Sequence, residues 1–210
     1  MIQQFEKYYG VTPCVYTIPV GSLPELKYPK EERKPFSLIT ASRLASEKHV
    51  DWICKAVIQA RSEVPEVSLD IYGVGGEREK LETIIRENNA SSYIRLMGQH
   101  DLSEVYQNYE AYIAGSTSEG FGLTLMEAVG GGLPIIGFDV RYGNPTFIRN
   151  GENGYLLELP EEDKDRVEAL RKGIVDLFKQ DLEHCHSVSY EVAGDFLTSN
   201  VQEKWREAVC

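Results

Sequence analysis

Apolar residues along this chain fall into short unbroken runs separated by stripes of three- and four-residue spacing. Phe36–Thr40, Val67–Tyr72, Tyr93–Met97, Ala111–Ala114 and Pro134–Phe138 are such runs, the pattern of strands buried on both faces of a parallel sheet. Trp52, Ile53, Ala56, Val57 and Ala60 mark one face of a helix, and Leu81, Ile84 and Ile85 mark the next. Leu102–Tyr109 predicts a short helix, Gly154–Leu157 a strand that closes the sheet, and Val167–Phe178 and Val192–Trp205 two terminal helices. This alternation predicts an α/β fold: a doubly wound, Rossmann-like parallel sheet over residues 35–210. Residues 1–34 read as a lead-in. Phe5, Tyr8 and Tyr9 end a turn at Gly10, Val15–Val20 suggests a short strand, and Gly21 to Lys34 has the proline and charge content of a linker.

Composition narrows the function. The 210 residues suffice for one sizeable domain. A net charge of −11 argues against nucleic acid, which needs a basic face. No apolar run approaches the roughly 20 residues that span a bilayer, and no signal peptide is read ahead of the fold. Cys14, Cys54, Cys185 and Cys210 follow no metal or disulfide spacing. A reducing cytoplasm fits, with peripheral attachment to a membrane left open. His184 and His186 flank Cys185 without a second ligand cluster, and read as surface helix. Asp163-Lys164-Asp165 reads as a solvated helix start.

In an open parallel sheet, ligands bind beyond the carboxyl ends of the strands. Four loops there are distinctive: 41–48, 73–76, 98–100 and 115–122. The richest is Ser118-Glu-Gly-Phe-Gly-Leu-Thr-Leu-Met-Glu127, a glycine-flanked turn that opens a helix. A helix N-terminus presents free N–H groups and a positive dipole end to an anion. Gly120 and Gly122 permit close backbone approach. Glu119 lies before the helix and Glu127 within it, so each can serve a different part of one ligand. A sugar joined to phosphate suits that set. Arg43 and Lys48 add two cations, which complement phosphate oxygens and stabilise a departing diphosphate. Gly73-Val-Gly75-Gly76 is a poor dinucleotide fingerprint: Arg78 replaces the third glycine, and the loop follows the second strand.

Glu119 and Glu127, separated by seven residues with Gly120-Phe121-Gly122 after the first acid, resemble the donor-site signature of retaining GT-B glycosyltransferases of family 4. Arg43 and Lys48 are similar to that family's Arg-x4-Lys element, although His49 stands where many relatives have glycine. Gly137–Asn144 and Thr146–Tyr155 narrow the resemblance to a Gram-positive subfamily. It holds the accessory-secretion transferases that put N-acetylglucosamine on Ser/Thr of serine-rich adhesins, and the related teichoic-acid glycosyltransferases.

The resemblance covers about residues 10–210 and corresponds to the C-terminal, donor-binding half of a GT-B enzyme. It implies a UDP-sugar donor, a Ser/Thr-rich protein acceptor and a companion glycosyltransferase-like subunit, with no metal and no other cofactor. Arg43 and Lys48 would hold the diphosphate, and backbone amides of Gly122, Leu123 and Thr124 would cap phosphate or sugar. Glu119 would hold sugar hydroxyls and Glu127 the ribose, while Gln99 and His100 would meet the base. Teichoic-acid or polysaccharide transfer, a non-catalytic nucleotide-sugar module and a flavodoxin-like regulator stay open as alternatives.

Overall fold

The computed structural model describes Gly10 and residues 18–209. The expected aromatic turn before Gly10 and residues 15–17 of the expected Val15–Val20 strand lie outside the described residues, and residues 18–20 form no strand. Six strands form one sheet: β1 Ser37–Ala41, β2 Ser68–Tyr72, β3 Ile94–Gly98, β4 Ala111–Ile113, β5 Ile135–Phe138 and β6 Gly154–Leu157. All pair in parallel in the order β3-β2-β1-β4-β5-β6. The chain starts at the middle, winds outward through β2 and β3, then crosses to β4 on the other side of β1. The reversal leaves a crevice beyond the ends of β1 and β4.

Two apolar layers sandwich the sheet. On one face Leu38, Leu69, Ile71, Ile113 and Phe138 pack against α1 (Val50–Ala60), α2 (Arg78–Glu87) and α5 (Asp163–Leu177). On the other, Ile39, Ala41, Tyr112 and Ile135 pack against α3 (Leu123–Gly130), α4 (Gly143–Phe147) and α6 (Leu182–Gly194). Strand residues of alternating parity supply the two layers, as the two-residue period requires. β1 is buried along its whole length, which is why its sequence reads as one apolar run. Among the described residues, no helix is long and apolar enough to cross a membrane.

Three helical expectations need correction. Leu102–Tyr109 forms only a 3-10 turn at Tyr106–Asn108. The helix expected over Val192–Trp205 is two, α6 and α7 (Thr198–Val209). Between them Leu23 takes the backbone bonds that would continue a helix: its N–H donates to Phe196 O at 2.7 Å, and its carbonyl accepts from Thr198 N at 2.8 Å. The His184-Cys185-His186 segment lies on α6, but only His184 faces out. Cys185 and His186 are buried, and His186 Nδ1 lies 2.7 Å from Gly132 O. Burial holds the His186 pKa down at about 4. Among the described residues, no group of three or more His, Cys, Asp or Glu is placed to hold a metal ion.

The segment 21–34 has no regular element, yet it is fastened along the domain. Leu23 is buried. Arg33 donates to the carbonyls of Gln107, Tyr109 and Gly131, each at 2.9 Å.

Candidate functional site

The loop leaving β1 is braced by the glycine loop leaving β2. Leu44 N donates to Val74 O at 2.9 Å and Ser42 N to Tyr72 O at 3.1 Å. A Cβ on Gly73 would sit 1.8 Å from Ser42 O, and one on Gly75 2.3 Å from Leu44 O. These glycines therefore allow two backbones to touch. Arg43 stands out from the braced loop, its side chain 78% exposed and paired with Glu47 at 3.0 Å. Lys48 ends a 3-10 turn, Ser46–Lys48. His49 follows with φ +45°, in the left-handed region that favours glycine. Its ring stacks on Trp52, 3.5 Å between centroids and 8° between planes. This contact accompanies the unusual backbone where many members of the resembled family have glycine.

The loop leaving β4 arrives beside Lys48. Gly115 packs against that turn, and a Cβ there would lie 2.8 Å from His49 O. Glu119 then meets Lys48, carboxylate to ammonium, at 2.7 Å with both side chains 19% exposed. The Glu119 carbonyl accepts from Tyr142 N at 2.6 Å and Gly143 N at 3.0 Å, so the loop after β5 fixes the acid from behind. Gly122 takes φ +84° and starts α3, whose first turn has no side-chain cap. Its leading N–H groups are therefore available to an anion.

The expected residues divide among three recesses. Lys48, Glu119 and Thr124 share a narrow cleft at the β1/β4 switch. Arg43, Gln99, His100 and Thr124 share a neighbouring cavity of about 300 Å³, floored by Tyr72 and Gly73. Glu127 lines a third, of about 220 Å³, with Tyr106, Asp101, Ser103 and the Ser22–Lys27 segment. Thr124 joins the first two recesses, and Leu102 borders the second and third. Burial raises the Glu127 pKa, opposed by a bond from Tyr106 Oη at 3.0 Å and aided by the charge of Asp101.

Some expected ligand residues are otherwise engaged. The Phe121 ring packs edge-on to Phe147 and Phe196, at 5.5 and 6.1 Å, so only its backbone faces the turn. Gly122 needs its positive φ, whereas a Cβ on Gly120 would meet open space. Leu123 is 54% exposed and lines none of the three recesses. His100 is oriented by Met97 O, 2.8 Å from Nε2.

Three tyrosines escaped the sequence reading. Tyr112 Oη lies 2.9 Å from Ala41 O and 3.2 Å from Thr124 Oγ1, tying the end of β1 to the first turn of α3. Tyr106 positions Glu127, and Tyr72 floors the second cavity. In the β2 and β4 runs and in the 102–109 segment a tyrosine counts as one more apolar residue. Nothing local announces where its hydroxyl ends.

A doubly wound sheet with cation, acid and open helix start at its switch point defines a cleft suited to an anionic ligand. Residues 25–192 match the family of glycosyl transferases group 1, and the chain belongs to that family. Among its relatives, a UDP-N-acetylglucosamine–peptide N-acetylglucosaminyltransferase GtfA subunit from Streptococcus agalactiae is 54% identical over 98% of this chain and 41% of the relative. A poly(glycerol-phosphate) alpha-glucosyltransferase of Bacillus subtilis is 31% identical over 88% of this chain and 27% of the relative. The crystal structure of the pneumococcal O-GlcNAc transferase GtfA in complex with UDP and GlcNAc superposes with a TM-score of 0.91 at 51% identity. That match covers 99% of this chain and 42% of the solved one. The chain thus spans about two-fifths of the length of these GtfA relatives.

Proposed function

We propose that this chain is the donor-binding half of a retaining, family 4 GT-B glycosyltransferase that moves N-acetylglucosamine from UDP-N-acetylglucosamine to Ser/Thr of a serine-rich protein. The observation that carries the reading is the Lys48–Glu119 pair at the switch point, beside the uncapped start of α3. The sugar and acceptor class are supported by the GtfA relatives at about half identity over nearly the whole chain.

In this reading Arg43 and Lys48 neutralise the diphosphate, and the amides of Gly122, Leu123 and Thr124 cap a phosphate or sugar oxygen. Glu119 engages sugar hydroxyls once Lys48 turns to phosphate. Glu127 holds the ribose, and Gln99 with His100 meets the base. Two fixed cations do the work a divalent ion would otherwise do at a leaving diphosphate. The acceptor site belongs to a preceding half or to a companion subunit, a view supported by the two-fifths coverage and by a solved GtfA/B complex that this chain matches with a TM-score of 0.90. Orienting an acceptor accounts for roughly 7–11 kcal/mol of a transfer barrier, so this chain alone should not glycosylate peptide efficiently.

Calorimetry with UDP in EDTA tests the donor reading. Binding without metal is expected. Binding that appears only with magnesium or manganese sinks the metal-free part, and no binding under either condition sinks the whole.

A further inference from the structure

We propose that the chain of side chains Arg95, Asp70, Tyr109 and Tyr72 is a positioning device for the base end of the donor cleft, setting the Tyr72 ring against His100. The inference rests on the donor-site reading above for what the cavity holds, but not for the device itself.

Asp70 lies in mid-sheet and is 1% exposed. Arg95, its register partner on β3, grips it with two bonds, Nε to Oδ1 at 2.7 Å and Nη2 to Oδ2 at 2.5 Å. Tyr109 Oη donates to Oδ2 at 2.7 Å. Burial alone would push Asp70 up, but the Arg95 and Tyr109 donors and nearby Lys34 hold it below its ordinary value. An ionised carboxylate only accepts. Tyr109 therefore spends its proton on Asp70, and its oxygen is left to accept from Tyr72 Oη, 3.0 Å away. The direction of every bond follows from the charge at Asp70.

Tyr72 is where this chain meets the cleft. Its ring stands edge-on to His100, 5.7 Å between centroids and 89° between planes. Its carbonyl receives Ser42 N from the Arg43 loop, and the next residue, Gly73, donates to Gly98 O at 2.7 Å. Tyr72 thus touches both walls of the 300 Å³ cavity that holds Arg43, Gln99 and His100. Its backbone sets the spacing of the walls, and its hydroxyl, anchored through Tyr109, sets the tilt of the floor. The buried ionised Asp70 has no other evident role in the site.

The test is a pair of variants, Tyr109→Phe and Tyr72→Phe, each removing one hydroxyl and keeping the ring. Binding of UDP and of inorganic pyrophosphate is measured for both, with His100 ring-proton chemical shifts recorded without ligand. Loss of one buried hydrogen bond should weaken UDP about three- to tenfold and leave pyrophosphate within about twofold. The His100 resonances should move, because the ring beside them has. Parallel weakening of UDP and pyrophosphate would mark a merely structural role and overturn the proposal. So would unmoved His100 resonances in both variants. If the unaltered protein fails to bind UDP, the donor reading falls, while the resonance shifts still decide whether the device exists.

Discussion

Two of the cation–carboxylate pairs, Arg95–Asp70 and Lys48–Glu119, are built for opposite purposes. Asp70 is 1% exposed and receives three bonds from two residues. Glu119 at the switch point receives one side-chain bond, from Lys48, and both are 19% exposed. The first pair is saturated, and releasing Arg95 would strand the desolvated charge of Asp70. The second has spare lone pairs and spare donors and faces a cleft. An incoming anion can take Lys48, leaving the acid for hydroxyls. Charge in a sheet can thus serve as a fastening or as an exchangeable contact, and the number of partners tells which.

The comparison can be broken most severely at Asp70. Asp70→Ala strands Tyr109 and unpairs Arg95. Because the Arg95 side chain is 53% exposed, the loss should stop at about 2–3 kcal/mol, read by chemical denaturation. The pH dependence has a fixed sign. A carboxylate held below its ordinary 3.8 contributes stability above that value and loses it as the pH falls through the lowered folded pKa. The unaltered protein should therefore lose that increment on acidification, and Asp70→Ala should not.

At the exchangeable pair the effect should move from folding to binding. Arg43→Ala and Lys48→Met should each weaken UDP by about 1.5–3 kcal/mol, measured by calorimetry. Their folding stability should change by less than about 1 kcal/mol. If Lys48→Met destabilises the fold as much as Asp70→Ala, the distinction between the two pairs is wrong. Glu119→Gln sharpens the point: UDP affinity should hold, while affinity for the intact UDP-sugar falls.

The smallest expected effect has the opposite sign. Burial holds the Glu127 pKa above its ordinary 4.5. Its folded form keeps a proton more tightly, so it aids stability below that value and opposes it once the pH rises through the raised pKa. Glu127→Gln should then stabilise the fold at neutral pH by up to about 1 kcal/mol, as is common when a strained functional site is relaxed. UDP binding should weaken in the same variant.

The sheet was legible because strands buried on both faces are mostly apolar, so Leu38-Ile39 and Ile135-Ile136 announce themselves, and Asp70 interrupts β2 only because Arg95 and Tyr109 pair it. The loops at the strand ends were legible for a related reason, since glycines, Arg43, Lys48 and Glu119 have no apolar work to do there. What escaped depends on distant partners. The break before α7 is made by Leu23, far away in sequence. Phe121 looks like part of a ligand turn until Phe147 and Phe196 are brought to it. The hydroxyls of Tyr72, Tyr106 and Tyr112 acquire meaning only through Tyr109, Glu127 and Thr124. Sequence patterns reported where polar groups were tolerated, and the fold alone reported which ones met.

Gly115 carries a consequence of its own. With no side chain between it and the His49 carbonyl, two main chains rest directly on each other, and that contact sets how far Lys48 stands from Glu119. The hydrogen atom at this position works as a gauge block: the gap is machined in backbone, so drift in the surrounding side chains leaves it unchanged. A methyl there would act as a shim, widening the jaws while leaving both jaw faces chemically intact.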